Sequence, residues 1–245
     1  MSLPILYDHT GSICSQMARL AFFEKAVQFQ RRPVDIMETN EQFEPWYIAL
    51  NPKAVVPTLV LGTEIVTDTI RIVNRLQALD GPDLSGDATT QAWLKDIMAP
   101  HYGVLLYRNR LDPDGTAPQI IARGLLLEQL LEKHPEMAEL LEGRIAGNRR
   151  FQTLLRKPDE IEGHLASTRA LILRMSEALD SQQFLAGPTY SLADCFATAA
   201  LARFKVHKLQ DWWRGTALEN YYERMRARPS FKAAEVMDTG SERDL

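Results

Sequence analysis

The chain of 245 residues has two cysteines, and one of them sits where a thiol can be put to work. Cys14 lies in the run Ser12-Ile13-Cys14-Ser15, which follows a short apolar segment at 4–8 and the turn residues His9-Thr10-Gly11. From about Ser15 onward, Met17, Leu20, Ala21 and Val27 share one face at helical spacing. A thiol at a helix N-terminus faces unpaired backbone N–H groups and the positive end of the dipole, which favour the thiolate. The same donors could instead hold the thiolate of a substrate, with the Ser12 hydroxyl donating to it. Met17 stands where Cys-x-x-Cys would need a second thiol, so dithiol oxidoreduction is not expected. Taken alone, a cysteine beside a helix start reads equally well as a packing residue.

A second group is Lys53-Ala54-Val55-Val56-Pro57-Thr58-Leu59. A proline opening a strand is a candidate cis peptide, which costs only about 0.5–1 kcal/mol before proline. Such a bond would turn the backbone of Val56 towards the helix terminus that carries Cys14. A peptide-like ligand could then pair with that backbone as an added strand. The plainer alternative is a trans proline on a sheet edge. A third group is Asp68-Thr69 at the start of a later helix. Thr69 and the helix terminus suit a carboxylate, and Asp68 suits an ammonium, as at the α-amino acid end of a γ-glutamyl group. Simple helix capping explains the same pair.

These groups need elements to hold them. After the first strand and helix, 29–36 reads as a strand whose Pro33 calls for an edge position or a bulge. A short helix spans 41–50 and stops at Asn51-Pro52. Runs at 57–61 and 64–67, separated by Gly62-Thr63, form a hairpin. A helix runs from about Asp68 to Leu79, and Asp80-Gly81-Pro82-Asp83 breaks the chain. The order β-α-β-α-β-β-α is the thioredoxin-like arrangement, a small mixed sheet with helices on both faces. After Gly86 helical patterns take over, at 89–110, 117–131, 135–145, 158–179, 191–206 and 217–228. The expected architecture is an α/β thioredoxin-like N-terminal domain over 1–82 and an all-α C-terminal domain over 88–236. Residues 237–245 read as a frayed polar tail.

Composition narrows the partners. Hydrophobic residues make up 45%, enough for a core without a disulfide or metal staple. A net charge of −4 offers no basic face for nucleic acid. The longest apolar runs fall far short of the roughly 20 residues a membrane span requires. The N-terminus has no signal-peptide pattern. Two distant cysteines fit free thiols in a reducing, cytoplasmic setting. No spacing suits a metal site and no glycine-rich loop suits a nucleotide.

The three groups occur in an order that resembles the soluble glutathione transferase superfamily, over essentially the whole chain. Within it the chain is most similar to the tetrachlorohydroquinone reductive dehalogenase family. The segments that carry the resemblance are Tyr7-Asp8-His9-Thr10-Gly11-Ser12-Ile13-Cys14-Ser15, Phe43-Glu44-Pro45, Leu50-Asn51 and Lys53-Ala54-Val55-Val56-Pro57-Thr58-Leu59-Val60. In the second half they are Tyr190-Ser191-Leu192-Ala193-Asp194, Leu201-Ala202-Arg203 and 221–228. The resemblance implies the glutathione transferase fold, glutathione as co-substrate, a small hydrophobic electrophile and a two-fold homodimer. Cys14 would form a mixed disulfide with glutathione and Ser12 would hydrogen-bond its sulfur. Val56, next to Pro57, would pair with the cysteinyl unit, Asp68 and Thr69 would hold the γ-glutamyl end, and Lys53 would face the glycyl carboxylate. Asp68-Thr69 departs from the commoner acidic-or-amide residue followed by Ser. Glu44-Pro45-Trp46 and the domain plan extend the similarity to ganglioside-induced differentiation proteins and bacterial lignin β-etherases.

Several readings stay open on this basis: a dehalogenase using Cys14, a transferase in which Ser12 activates the thiol, a β-etherase or isomerase, and a non-catalytic binding protein. Ser191-Leu192-Ala193-Asp194 is a capping box, and Cys195 behind it reads as a buried hydrophobe. The region 108–160 is longer than the family plan needs. Its arginines form either a basic lid over an anionic phenolate or a solvated helical face. On the family plan His101 and Tyr102 would point into the cleft between domains.

Overall fold

Four short strands pair into one sheet. The structure is a computed structural model and describes residues 3–239. Strands β1 (Ile5–Asp8), β2 (Gln30–Pro33), β3 (Thr58–Leu61) and β4 (Glu64–Val66) lie in the order β2-β1-β3-β4. β1 runs parallel to β2, with Ile5 opposite Gln30, and antiparallel to β3, with Leu6 opposite Leu59. β2 is therefore an edge strand ending at Pro33, the position the missing N–H requires. The β3–β4 hairpin turns at Gly62, whose φ of +61° suits a residue without a Cβ.

The helices are α1 (Ile13–Glu24), α2 (Pro45–Leu50), α3 (Thr69–Leu76), α4 (Ala88–Met98), α5 (Tyr102–Tyr107), α6 (Pro118–Lys133), α7 (Ala138–Leu155), α8 (Pro158–Leu179), α9 (Leu192–Val206), α10 (Ala217–Arg226) and α11 (Pro229–Ala233). The arrangement β-α-β-α-β-β-α through α3, followed by helices alone, is the expected fold class. Three local expectations change. The single helix at 89–110 is two, because Pro100 lacks an N–H and its ring clashes with the preceding turn. The helix at 135–145 opens as a 3₁₀ turn over Pro135–Met137 and continues to Leu155. α11 was not anticipated, although Pro229 at its first position is a known helix start.

The chain divides into two compact units, Met1–Ala99 with Leu171–Leu245, and Pro100–Ala170. In the first, α9 is buried along nearly its whole length, as a helix apolar on all sides must be. Its alanines at 193, 197, 199, 200 and 202 let α1 and α4 pack closely on it. Lys25 is buried at the end of α1, and its Nζ donates to the carbonyls of Pro82 (2.9 Å), Gly81 (3.4 Å) and Gln77 (3.5 Å). This knot explains the break at 80–83: Gly81 has φ +115°, and a Cβ there would sit 2.0 Å from the Lys25 carbonyl.

The polar tail is anchored where it is described. Asp238, 9% exposed, accepts from Arg226 Nε (2.6 Å), Lys205 Nζ (3.1 Å) and Tyr222 Oη (3.3 Å). The expectation of fraying fails at 237–239 because these donors fix the carboxylate; 240–245 lie outside the described residues. In the second unit α6 packs on α7, around a small core of Ala117, Ile120 and Leu155.

Candidate active site

The turn between β1 and α1 is built from its own backbone. Ser12 N–H donates to the His9 carbonyl (3.1 Å) and Ser12 Oγ accepts from Ser15 N–H (3.3 Å), which makes Ser12 the N-cap of α1. That bond uses a lone pair and leaves the hydroxyl proton to donate. His9 Nδ1 accepts from Gly11 N–H at 3.2 Å. Burial pushes the His9 imidazole below its ordinary pKa, so the ring is neutral at pH 7, as an accepting nitrogen requires. Gln16 Nε2 donates to the Thr10 carbonyl (3.0 Å), and Arg203 Nη2, from α9, donates to the Gly11 carbonyl (2.6 Å).

Cys14 stands half-buried in the first turn of α1. Burial pushes its thiol above the ordinary value, Asp68 pushes the same way, and the Thr69 hydroxyl, the Arg203 charge and a backbone N–H oppose them. Burial thus opposes the thiolate that the helix terminus favours. Removing the sulfur from water outweighs the donors that face it.

The Val56–Pro57 peptide is cis. A buried polar clamp holds the loop around it. Tyr47 Oη and Asn51 Nδ2 each donate to the Val55 carbonyl at 2.7 Å, and each reaches Thr58 Oγ1 at 3.0 Å. Asn51 Oδ1 accepts from Lys53 N–H at 3.1 Å, and Ala54 takes a left-handed φ of +50°. Burial raises the Tyr47 phenol to about 12, so it stays protonated and keeps donating. Val56 and Pro57 are buried, whereas Lys53 is exposed.

Asp68 is exposed and caps α3, its Oδ1 accepting from Arg71 N–H at 3.0 Å. The capping reading is therefore correct. Thr69 is buried, and its hydroxyl favours the Cys14 thiolate. The fold thus brings Cys14, Asp68 and Thr69 together, with Ser12 on the same turn as Cys14. Sequence reasoning missed Arg203, Tyr47 and Asn51. Arg203 had a signal, a cation in the last turns of a largely apolar helix that also carries Lys205; the other two had none beyond ordinary helix patterning.

Other expectations resolve by burial. Ser191 and Asp194 form the reciprocal capping box, and Cys195 is fully buried, with Tyr190 Oη at 3.5 Å from its sulfur. In the second unit His101 Nδ1 accepts from Val104 N–H (3.2 Å), and its ring stacks on Phe151 (5.0 Å between centroids, 10° between planes). The basic stretch is not uniformly solvated. Arg149 is exposed and pairs with Glu128 at 2.8 Å, whereas burial lowers the pKa of Arg123 and Arg144. Among the described residues no cluster of three His, Cys, Asp or Glu could hold a metal, and no helix is long and apolar enough to cross a membrane.

Comparison with known proteins finds relatives along nearly the whole chain. The family model described as "Glutathione S-transferase, N-terminal domain" matches residues 11–79, the segment that holds Ser12, Cys14, Lys53, Val56, Pro57, Asp68 and Thr69. Tetrachloro-p-hydroquinone reductive dehalogenase of Sphingobium chlorophenolicum is 33% identical, over 95% of each chain. Glutathione S-transferase TCHQD of Arabidopsis thaliana is 24% identical over 93% of this chain and 87% of that one. Among solved structures, the β-etherase LigF of Sphingobium sp. strain SYK-6 superposes with a TM-score of 0.73 at 20% identity. It covers 95% of this chain and 98% of that one, and it supports the fold alone.

Proposed function

The chain belongs to the glutathione S-transferase family, and from that premise we propose that it uses glutathione to reduce a halogenated hydroquinone, with Cys14 as the second thiol. The observation that carries the reading is the half-buried Cys14 in the first turn of α1, directly behind the Ser12 N-cap. The relative named as a reductive dehalogenase, alike over nearly the full length of both chains, supports it.

Glutathione fits the residues present. Its cysteinyl unit pairs with the backbone of Val56 beside the cis-Pro57. Its γ-glutamyl ammonium meets Asp68, with the α3 N-terminus and Thr69 on the carboxylate side, and its glycyl carboxylate faces Lys53. The Ser12 hydroxyl donates to the glutathione sulfur and favours its thiolate.

The reaction then proceeds in two thiol steps. The first glutathione thiolate forms a C–S bond to the ring and halide leaves. Tautomerisation moves the phenolic proton onto the carbon that bears sulfur. Cys14 gives up its proton and attacks that sulfur as the thiolate, the C–S bond breaks, and its electron pair passes through the ring to the oxygen, which takes up a proton to give the reduced phenol. A second glutathione thiolate attacks the mixed disulfide, releasing oxidised glutathione and Cys14. In sum, one aryl halide and two glutathiones give the arene, the disulfide and hydrogen halide. A Cys14 that rests as the thiol, as its raised pKa implies, leaves the first step to glutathione. This order suits the scheme.

The family analogy extends to a cytoplasmic homodimer, which size-exclusion chromatography with light scattering tests. The reaction itself is tested by incubating the protein with glutathione and a chlorinated hydroquinone. Chlorine replaced by hydrogen, with oxidised glutathione formed, supports the reading. A stable glutathione adduct as sole product would make the protein an ordinary transferase.

A further inference from the structure

The turn that carries Ser12 and Cys14 is gripped from behind by a buried arginine that the reaction scheme does not use. Arg19 of α1 is fully buried, and a buried guanidinium is tolerated only when its donors are met. Its partners are successive acceptors at the end of β1 and the start of the turn. Nη1 pairs with the Asp8 carboxylate and reaches the His9 carbonyl (3.3 Å), and Nη2 reaches the Thr10 carbonyl (3.2 Å). The His9 carbonyl is the one that also accepts from Ser12 N–H, so one shared acceptor separates Arg19 from the cap of the working helix.

The grip is completed from the far end of the sequence. Arg19 Nε donates to the Ala234 carbonyl at 2.7 Å. Arg31 of β2 pairs with the other oxygen of Asp8 (2.9 Å), reaches Thr10 Oγ1 (3.2 Å) and pairs with Glu235 (2.8 Å). The segment 234–238 is itself held by the Val236 N–H bond to Phe231 (3.1 Å) and by the donors on Asp238. A planar fork of fixed geometry accepts only one arrangement of its acceptors, so residues 8–10 have one position while both ends of the network are intact.

Building on the proposed roles of Ser12 and Cys14, we propose that Arg19 is a positioning residue for their turn, and that the C-terminal segment takes part through Ala234 and Glu235. Neither Arg19 nor the C-terminal segment touches substrate in this account. They fix where the sulfur and the hydroxyl stand.

The test is the rate at which iodoacetamide alkylates Cys14, read by mass spectrometry alongside kcat and KM for glutathione. Alkylation needs no glutathione, so it stands even if the dehalogenase reading fails. Cys195, fully buried, is the internal reporter of global unfolding. Arg19→Lys keeps the charge beside Asp8 but loses the fork. The expected result is faster alkylation of Cys14 with Cys195 still protected. In an active enzyme, kcat falls by about 10- to 100-fold, the scale of an ångström-sized misplacement, while KM for glutathione stays near its wild-type value. Wild-type alkylation in a folded Arg19→Lys protein overturns the proposal, and so does parallel labelling of both cysteines, which makes Arg19 a residue of the whole fold. If Arg19→Lys does not fold, Glu235→Gln at the half-exposed end of the network decides: faster Cys14 labelling supports the proposal and an unchanged rate overturns it.

Discussion

Thr69, buried in the first turn of α3, lies near Cys14 in the first turn of α1, and its hydroxyl favours the Cys14 thiolate. That preference opposes a burial that favours the thiol, so Thr69 limits how far the thiol pKa rises. The folded protein holds the Cys14 proton more tightly than a free thiol would. Alkylation of Cys14 should therefore keep accelerating with pH beyond the ordinary thiol range. Thr69→Val removes the donor, moves the profile to still higher pH and slows labelling several-fold at pH 8, whereas Thr69→Ser restores it. A Thr69→Val profile that overlays the wild type would remove Thr69 from this role.

Tyr47 and Asn51 offer a test of the loop beside cis-Pro57. Each donates to the Val55 carbonyl, so either Tyr47→Phe or Asn51→Ala leaves that acceptor one partner and should cost about 1 kcal/mol. The double variant leaves the Val55 carbonyl without either donor and should cost more than the sum, with a higher KM for glutathione because Val56 is no longer fixed. Urea unfolding of the four proteins measures the coupling. Strict additivity would mean that the two donors do not share the work.

Asp194 is a stability residue away from the chemistry. Buried in the first turn of α9, it accepts from Ser191 N–H (2.9 Å), Leu185 N–H (3.1 Å) and Tyr221 Oη (2.7 Å). Asp194→Ala loses the cap and leaves these donors unmet, so it should destabilise by about 2–4 kcal/mol. Calorimetry that finds the unfolding midpoint unchanged would refute the assignment.

The sequence was most legible where local chemistry dictates structure. Gly62-Thr63 named the hairpin, Ser191 and Asp194 named the helix cap, and Pro33 placed β2 on the edge. It was less legible where long-range packing decides. The charge on Cys14 depends on how deeply the fold buries its sulfur, which the helix terminus alone does not reveal. Arg203 and Arg19 reach the working turn from residues that only the tertiary fold brings together. Helix periodicity ran through Pro100, where the proline's missing N–H ends α4, and it stopped short of Leu155, where α7 in fact ends. Asp238 lies in a stretch whose polarity suggested solvent, yet three donors from two helices enclose it.

The central claim is that Cys14 removes glutathione from the conjugated ring, and a single-turnover product analysis of Cys14→Ser tests it most directly. Wild-type protein with glutathione and a chlorinated hydroquinone should yield the dechlorinated hydroquinone and oxidised glutathione. Cys14→Ser, which keeps the Ser12 hydroxyl and the loop at Pro57, should still release chloride but accumulate the glutathione conjugate of the ring. Dechlorinated product formed by Cys14→Ser at the wild-type rate would contradict the account.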